Sequence, residues 1–315
     1  MKISLFDKCT LTVGDVDFSA IEALGDVTFH DIVPPKDLAE TIGDADIVLV
    51  NKAVLTGEIF AQCKNIKYVG LFATGYNNID LEAARRHGIT VCNAPGYSTD
   101  SVTQHVFALL LQIAGSIGQY DRSVHNGDWV RSLAFSYFPY PITEIKDKTL
   151  GIFGYGSIGK SVAKAADAFG MKVIVCTRTK PENCPYELVS KEELFARSDY
   201  LTIHSPLTPQ TKELVNKDTL ALMKPTAVLI NTSRGGVVNE PELADALNSG
   251  KIAAAGLDVL TVEPMKADNP LLSAKNCVIT PHTAWASKEA RQRLIGLVAS
   301  NMKAFLDGKP VNVVS

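Results

Sequence analysis

A cation, an acid and an imidazole each follow an apolar run in the second half of the sequence. Arg234 lies in INTSRGG, Glu263 in GLDVLTVEP and His282 in VITPHTAW. The carboxyl ends of parallel strands line the ligand crevice of an open α/β sheet, so we expect these side chains at one edge. The set suits carbonyl reduction, because a cation can hold an anionic substrate, an imidazole can transfer a proton and a carboxylate can orient the imidazole. The glycines after Arg234 favour close approach of a ligand. In the structural alternatives, Arg234 is a helix-start cation and Glu263 a turn acid.

The segment Gly154-Tyr-Gly156-Ser-Ile-Gly159 matches the G-x-G-x-x-G pattern of dinucleotide-binding folds. The strand-like TLGIF precedes it, and a helical pattern over Lys160–Phe169 and the strand-like KVIVC follow it. In this setting the first glycine permits a tight turn, the second lets the backbone approach a pyrophosphate, and the third lets helix and strand pack closely. The helix N-terminus offers N–H groups to the anion. The alternative is a glycine-rich turn that binds no ligand.

The residues after KVIVC indicate which dinucleotide is preferred. NAD-binding folds usually have Asp or Glu there, bound to the ribose 2′-hydroxyl, but this sequence continues Thr177-Arg178-Thr179-Lys180. Thr177 removes the carboxylate that would repel a 2′-phosphate, and Arg178 can pair with one as a planar fork. The sequence therefore favours NADP(H) over NAD(H). In the alternative, Arg178 and Lys180 are solvated charges and NAD binds through other contacts.

Short apolar runs alternate with helical patterns along the chain, which predicts parallel sheets covered by helices. The series restarts at Thr149, so we predict two α/β units. Long helices are predicted over Ser98–Ile117 and Ser287–Leu306, and the first unit is discontinuous if the second helix packs back on it. The predicted strands are Lys2–Phe6, Asp46–Asn51, Lys67–Leu71, Ile89–Asn93, Thr149–Phe153, Lys172–Cys176, Tyr200–His204, Ala227–Asn231, Ala253–Asp258 and Cys277–Thr280.

The composition argues against several classes of protein. The chain has 315 residues, 46% hydrophobic and 21% charged, with a formal net charge of −3. This near-neutral balance gives no electrostatic footprint for nucleic acid or an anionic membrane. No apolar run approaches the roughly 18 residues of a membrane helix, and no signal peptide is visible. The six cysteines include no C-x-x-C pair, so we expect reduced thiols in a cytoplasmic protein and no metal site.

Over essentially its whole length the sequence resembles the D-isomer-specific 2-hydroxyacid dehydrogenases. The resemblance rests on several motifs that occur in one order: ATGYNNIDLEAARRHGI from Ala73, the Ser98–Leu111 helix, GIFGYGSIG, HSPLTPQT, INTSRGGVV, GLDV, VEP and PHTAWAS. Together these motifs are far more specific than the glycine pattern alone. The ATGYNNID and PHTAWAS versions look most like the glycerate dehydrogenase (hydroxypyruvate reductase) branch.

The resemblance implies a role for each matching residue. Arg234 would bind the substrate carboxylate and keto oxygen, His282 would donate a proton to that oxygen during reduction, and Glu263 would keep His282 protonated. Backbone N–H groups of Ala73, Thr74 and Gly75 would bind the same carboxylate. Asp258 would lie near the nicotinamide carboxamide, unless it only caps a turn. The other implied cofactor contacts are Gly154, Gly156, Ser157, Ile158 and Gly159 at the pyrophosphate, Thr177 and Arg178 at the adenosine ribose, Ser205, Pro206 and Thr211 on the adenosine side, and Thr232 and Ser233, with Arg234 beside them, at the nicotinamide ribose.

The family also implies an α/β fold of two Rossmann-like, doubly wound parallel-sheet domains with a cleft between them. Residues 1–98 plus 289–315 would form a discontinuous substrate-binding (catalytic) domain, and residues 99–288 a dinucleotide-binding domain. The implied reaction is NAD(P)H-dependent reduction of a small 2-oxo acid to the D-2-hydroxy acid, with hydroxypyruvate or glyoxylate favoured. The alternatives are a dehydrogenase of bulkier 2-oxo acids, a phosphonate- or formate-type oxidation, and a co-repressor whose assembly a dinucleotide governs.

The family further implies a homodimer built through the cofactor domain. Trp129–Tyr140 holds five aromatic residues in twelve positions. We interpret it as an arm that buries aromatics against a second subunit, with a packed irregular loop as the alternative. Trp285 is either a wall of the substrate pocket or a core residue. The remaining histidines are expected to cap, pack or face solvent, although His204 also ends a strand of the same unit.

Overall fold

The computed structural model describes residues 1–315, and the chain forms two units. Unit 1 comprises Met1–Ser98 and Trp285–Ser315, and unit 2 comprises Thr99–Ala284. The sequence-based boundary assigns residues 285–288 to the second domain, whereas they lie in unit 1. The physical reason is that Trp285 packs against the core of unit 1, with its ring centroid 6.1 Å from that of Tyr97.

Five parallel strands form the sheet of unit 1. They are β1 (Lys2–Leu5), β2 (Asp26–Phe29), β3 (Ile47–Val50), β4 (Tyr68–Leu71) and β5 (Thr90–Cys92), in the order β2-β1-β3-β4-β5. Every residue of β3 and β4 is buried, as a sheet covered on both faces requires. The helices of unit 1 are α1 (Lys8–Leu11), α2 (Ser19–Glu22), α3 (Leu38–Ile42), α4 (Gly57–Gln62), α5 (Leu81–Arg86) and, from the end of the chain, α12 (Lys288–Leu306).

The C-terminal helix α12 completes the core of unit 1. Ser287 caps its N-terminus by accepting a hydrogen bond from the backbone N–H of Ala290. Leu294, Val298 and Met302 recur at helical spacing and pack in one cluster with buried residues of β1, β3 and β4. Full burial of such a side chain stabilises a fold by about 1.5–3 kcal/mol. The sheet of unit 1 therefore depends on the last residues of the chain.

Seven parallel strands form the sheet of unit 2. They are β6 (Thr149–Phe153), β7 (Lys172–Cys176), β8 (Glu187–Leu188), β9 (Tyr200–Ile203), β10 (Val228–Asn231), β11 (Ala254–Leu257) and β12 (Cys277–Ile279), in the order β12-β11-β10-β9-β6-β7-β8. The chain runs outward from β6 through β7 and β8, then returns to β9 on the other side of β6. Doubly wound sheets bind ligands at this switch point, beyond the carboxyl ends of the strands.

Helices cover the unit 2 sheet. They are α6 (Thr99–Gly115), α7 (Ile117–His125), α8 (Ser157–Ala168), α9 (Lys191–Arg197), α10 (Lys217–Leu222) and α11 (Glu240–Asn248). Where α6 packs on the sheet, a Cβ at Gly256 of β11 would lie 3.1 Å from the Cβ of Leu109. The glycine therefore lets this helix approach the strand that leads to the proposed site.

The predicted fold class, two doubly wound parallel-sheet units, is confirmed. The sequence did not predict the edge strands β2 and β8, because the first is half-exposed and the second has two residues. The helix predicted over Ser98–Ile117 ends at Gly115, because Ser116 adopts a φ of 50° and a second helix follows. No single helix is long and apolar enough to cross a bilayer, and only the pair α6 and α7, bent by 59°, passes that test together. All six cysteines are free.

The aromatic segment Trp129–Tyr140 contains no helix or strand. Two of its rings contact α7: the hydroxyl of Tyr137 lies 2.6 Å from Ser123 Oγ, and Tyr140 stacks edge-on against Tyr120. Five large apolar side chains of the same segment are exposed: Trp129, Val130, Leu133, Phe135 and Phe138. The segment is thus attached to α7 at one side and presents apolar surface at the other.

Candidate functional site

The glycine motif forms the turn between β6 and α8. Gly154 has a φ of 95°, which favours glycine, and a Cβ there would press against the backbone of His204 after β9. A Cβ at Gly159 would collide with the carbonyl oxygen of Gly154, so this glycine lets α8 pack on the turn. A Cβ at Gly156 would meet no atom within 4 Å. Gly156 therefore borders open space at the helix N-terminus, which can accept an anion.

Two buried hydroxyls beside the switch point have no hydrogen-bond partner in the protein. They are Ser205 Oγ, after β9, and Thr232 Oγ1, after β10. An unpaired buried polar group costs about 1–3 kcal/mol, so such groups normally have a partner. The hydroxyl and phosphate groups of a dinucleotide would supply one. These two hydroxyls and the space at Gly156 fit a dinucleotide cofactor.

The carboxyl end of β7 lies directly beside the glycine turn. The backbone N–H of Gly154 donates to the carbonyl oxygen of Cys176 at 2.8 Å, and Thr177 and Arg178 follow. Arg178 is exposed and forms no ion pair. The Arg178 guanidinium next to the turn is therefore unpaired. Position 177 carries no carboxylate. Lys180 is also exposed.

Hydrogen bonds fix the turns that follow β9 and β10. The hydroxyl of Thr211 donates to the carbonyl oxygen of Pro206 at 2.6 Å, so it braces the turn after β9. Asn231 is fully buried, and its Oδ1 accepts from the backbone N–H of Ser233 at 3.0 Å. Its Nδ2 donates to the carbonyl oxygen of Arg234 at 2.9 Å. Asn231, which the sequence analysis did not identify, therefore fixes the backbone of Arg234.

Arg234 is exposed at the end of this turn, and its Nη1 donates to the carbonyl oxygen of Ser233 at 2.7 Å. The glycines that follow have a structural purpose rather than the close ligand approach inferred from sequence. A Cβ at Gly235 would collide with the backbone of Leu260, and one at Gly236 would lie 3.0 Å from the side chain of Leu207. Gly235 thus brings the Arg234 turn against the segment that carries Glu263.

His282 and Glu263 form a hydrogen-bonded pair. His282 Nδ1 lies 2.6 Å from Glu263 Oε2, and Glu263 Oε1 accepts from the backbone N–H of Leu260 at 3.0 Å. His282 Nε2 forms no hydrogen bond within the protein. The two side chains are 29% and 34% exposed, so solvent and ligands can reach the pair. A carboxylate on Nδ1 fixes the ring so that Nε2 is the nitrogen that can exchange a proton.

Asp258 holds the turn on which His282 lies. Its carboxylate is 1% exposed and accepts from Thr280 Oγ1 at 2.6 Å and from the backbone N–H groups of Thr283 and Ala284 at 2.8 Å each. The backbone N–H of His282 donates to the carbonyl oxygen of Asp258 at 2.8 Å. Both carboxylate oxygens are therefore used within the turn. This geometry favours the capping role weighed above, and a cofactor contact at Asp258 stays a prediction.

In unit 1, residues 73–75 follow β4 at the carboxyl edge of the sheet. The carbonyl oxygen of Ala73 accepts from the backbone N–H of Ala94, and the hydroxyl of Thr74 donates to the carbonyl oxygen of Ala94, both at 2.9 Å. The backbone N–H groups of Ala73, Thr74 and Gly75 donate to no protein acceptor. A fixed backbone with free N–H groups is suited to an anion.

The other histidines differ in their surroundings. Burial lowers the pKa of His204 to about 3, so its ring is neutral and unsuited to donate a proton at neutral pH. His30 stacks on Phe6 with centroids 4.8 Å apart, and burial lowers its pKa as well. His105, in α6, instead contacts Thr280 Oγ1 at 2.9 Å. The sequence gives no sign of this last contact, because the two residues lie far apart along the chain.

Consecutive strands therefore position most of the residues selected from sequence. Arg234 follows β10, Asp258 and Glu263 follow β11, and His282 follows β12, and these three strands are neighbours in the sheet. Hydrogen bonds and close packing link their turns. The glycine turn and Ser205 lie at the same edge, after β6 and β9. The edge thus combines a guanidinium, an acid-bound imidazole and an anion-accepting helix N-terminus.

Known proteins resemble the chain over its whole length. The sequence profile of the family described as "D-isomer specific 2-hydroxyacid dehydrogenase, NAD binding domain" matches residues 107–284. The chain is 46% identical to a hydroxypyruvate reductase of Blautia hydrogenotrophica, with both chains covered completely. It is 43% identical to a glycerate dehydrogenase of Methylorubrum extorquens over 89% of this chain and 88% of that one.

A solved structure shows a similar fold. It is an NADPH-dependent glyoxylate/hydroxypyruvate reductase of Sinorhizobium meliloti in complex with NADP and malonate, with a TM-score of 0.85 and 29% identity. The similarity covers 100% of this chain and 96% of that one. The similarity therefore extends over both units.

Proposed function

Because the chain belongs to the D-isomer-specific 2-hydroxyacid dehydrogenase family, we propose that it reduces a small 2-oxo acid to the D-2-hydroxy acid. Hydroxypyruvate and glyoxylate are the favoured substrates. The observation that carries the proposal is the His282–Glu263 pair of 2.6 Å, which leaves His282 Nε2 free. His282 follows β12, Glu263 follows the neighbouring strand β11, and Arg234 follows β10, the next strand in the sheet. A carbonyl that becomes an alkoxide needs a proton at that oxygen, and an oriented imidazole provides it.

The residues at the switch point would hold the cofactor. The N-terminus of α8 with Gly156, Ser157 and Ile158 would bind the pyrophosphate, and the hydroxyls of Ser205 and Thr232 would pair with the nucleotide. When bound, the reduced nicotinamide supplies the hydride. The chain's own residues then have two tasks: to hold the substrate carboxylate and to deliver a proton to the keto oxygen.

Arg234 and His282 perform these tasks in our proposal. The Arg234 guanidinium binds the substrate carboxylate as a planar fork and lies beside the oxygen where negative charge develops. The imidazolium of His282 donates its Nε2 proton to that oxygen, and Glu263 orients the ring through Nδ1. In unit 1, the backbone N–H groups of Ala73, Thr74 and Gly75 are the proposed donors to a substrate carboxylate.

A matrix of substrates and cofactors tests the reaction. Hydroxypyruvate, glyoxylate and a bulkier 2-oxo acid are each offered with NADPH and with NADH, and loss of nicotinamide absorbance and the configuration of the product are measured. We expect turnover of the two small acids and a D product from hydroxypyruvate, because the product of glyoxylate has no stereocentre. Replacement of His282 by Asn should lower kcat at least about 100-fold. Full activity of that variant on every acid, or an L product, would refute the proposal.

We propose further that NADP(H) is preferred over NAD(H). Support comes from the unpaired Arg178 next to the glycine turn and from Thr177 at the position where an acid would repel a 2′-phosphate. A charge-assisted hydrogen bond contributes about 1.5–3 kcal/mol, which corresponds to roughly 10- to 100-fold in affinity. Arg178→Leu should therefore raise KM for NADPH by at least about tenfold and leave KM for NADH nearly unchanged.

A matched control lies on the same strand. Lys172 is an exposed cation at the opposite end of β7, so Lys172→Leu removes one charge far from the glycine turn and should leave both KM values unchanged. An equal effect of the two variants would mean that only net charge matters. A lower KM for NADH than for NADPH in the unaltered enzyme would refute the preference itself.

We also propose a cytoplasmic homodimer that buries the exposed side of the segment Trp129–Tyr140. Leu133 is fully exposed and Phe135 is 92% exposed, which is unusual for large apolar residues of a monomer. Free cysteines are consistent with a reducing compartment. Leu133→Ser with Phe135→Ser should convert the dimer to a monomer in sedimentation experiments. A monomeric unaltered protein, or a dimeric variant, would contradict this part.

A further inference from the structure

A histidine outside the proposed catalytic set contacts the turn that carries His282. His105 lies in α6, and its Nε2 is 2.9 Å from Thr280 Oγ1 and 3.4 Å from Asp258 Oδ1. The side chain of His105 is 20% exposed and that of Asp258 is 1% exposed. Helix α6, at the start of unit 2, thus contacts the turn at the end of the same unit. Sequence spacing gives no sign of this contact.

The number of protons on His105, Thr280 and Asp258 determines which of these groups donates each hydrogen bond. The backbone N–H groups of Thr283 and Ala284 and the hydroxyl of Thr280 all point to the Asp258 carboxylate, which can only accept when it is ionised. The single hydroxyl proton of Thr280 is therefore used on Asp258 at 2.6 Å. The same oxygen can then only accept from His105, so Nε2 of His105 carries a proton and donates it.

We propose that His105 is a positioning residue for proton transfer by His282, and that it acts through Thr280 and Asp258. The proposal rests on the proposed function, because it needs His282 to be the proton donor. His105 donates to Thr280, Thr280 donates to the Asp258 carboxylate, and that carboxylate fixes the backbone after His282 through the N–H groups of Thr283 and Ala284. No other basic side chain lies within ion-pair distance of the buried Asp258 carboxylate.

The conformation of His282 explains why its turn needs this support. His282 has a φ of 55°, a region that side-chain-bearing residues adopt only when the surroundings impose it. Its backbone N–H donates both to the carbonyl oxygen of Asp258 and to that of Thr280, at 2.8 and 3.0 Å. Loss of the His105 bond frees the Thr280 hydroxyl to turn away from Asp258. The turn then relaxes, and the ring of His282 leaves its position against Glu263.

Three variants of the 315-residue chain test this series of hydrogen bonds. His105→Leu removes the donor, His105→Gln replaces it with an amide Nε2 donor, and Thr280→Val removes the hydroxyl between the two groups. We expect His105→Leu and Thr280→Val each to lower kcat for hydroxypyruvate reduction about tenfold, because small displacements of a reacting group are costly. His105→Gln should stay within about threefold of the unaltered enzyme, and the His105→Leu, Thr280→Val double variant should be no worse than either single variant.

Two readouts separate positioning from general loss of structure. The KM for hydroxypyruvate should stay nearly unchanged in His105→Leu while kcat falls, because the turn that carries Arg234 is not altered. The affinity for NADPH, measured by fluorescence titration without substrate, should not change. A kcat for His105→Leu within about twofold of the unaltered enzyme, or losses that multiply in the double variant, would overturn the proposal. If His105→Leu does not fold, the kcat values of Thr280→Val and His105→Gln test the proposal in its place.

His282→Asn distinguishes failure of this inference from failure of the proposed function. If His282→Asn is inactive and His105→Leu is fully active, only the role of His105 is wrong. If His282→Asn keeps full activity, the proton donor itself is wrong. When both roles hold, adding His105→Leu to His282→Asn should cost nothing further, because the group that His105 positions is already absent.

Discussion

The pair formed by His282 and Glu263 allows a quantitative prediction for Glu263→Gln. Glutamine keeps the length of the side chain and the acceptor for the backbone N–H of Leu260, which lies 3.0 Å from Glu263 Oε1. It replaces the negative charge 2.6 Å from His282 Nδ1 with a neutral amide. The substitution therefore changes the charge and the Nδ1 contact with little change in packing.

The size of the effect follows from the geometry of the pair. A hydrogen bond between charged groups contributes about 1.5–3 kcal/mol. The two side chains are 29% and 34% exposed, and solvent screening of such groups favours the lower part of that range. A loss of about 1.5–2 kcal/mol in the transition state corresponds to a kcat for reduction roughly 10- to 30-fold lower.

The assay is the initial rate of nicotinamide oxidation with saturating hydroxypyruvate between about pH 5 and pH 9. Glu192→Gln is the matched control, because it neutralises an exposed acid of α9 in the same unit and should leave the rate unchanged. A rate for Glu263→Gln equal to that of the unaltered enzyme across this pH range would contradict the prediction.

Two further predictions concern glycine geometry and acid stability. Gly235→Ala forces a Cβ into the backbone of Leu260, so we expect urea unfolding to show a loss of about 3 kcal/mol, whereas Gly156→Ala meets no atom within 4 Å and should weaken cofactor binding without loss of stability. Arg291 binds both carboxylate oxygens of Asp15 at 2.7 Å and holds its pKa well below the ordinary value. The folded-state pKa is lowered, so this stabilisation is present above about pH 4 and is lost as the pH falls. Asp15→Asn should therefore lower the thermal midpoint at neutral pH, and the difference should shrink in acid; a constant difference would contradict the assignment.

The fold was largely predictable because the strands inside the sheets are continuous apolar runs. Thr149–Phe153 and Lys172–Cys176 were predicted with the bounds that the structure has. The edge strands β2 and β8 were missed, because neither contains a fully buried residue and neither forms such a run. The break at Ser116 was missed for another reason: a serine in the left-handed region has no strong local signal.

The candidate site was predictable where one turn carries one reactive group. Arg234, Glu263 and His282 could be selected because each follows a strand, and the glycines because their spacing between a strand and a helix matches a known pattern. The supporting residues could not be selected in this way. Asn231 holds a backbone, and His105 meets Thr280 across 175 positions of sequence, so both depend on tertiary contacts. Asp258 was selected, but the hydrogen bonds that its carboxylate accepts within the turn could not be predicted, because they depend on tertiary contacts.

The contribution of α12 to unit 1 has a consequence for synthesis on the ribosome. Proteins generally fold domain by domain from the N-terminus as the chain emerges. Here the apolar face that Leu294, Val298 and Met302 cover stays open to water until α12 has been made. Unit 2, a continuous stretch of chain between the two parts of unit 1, is complete earlier. Unit 1 therefore begins before unit 2 but matures after it, and in the meantime its uncovered apolar face is open to chaperones.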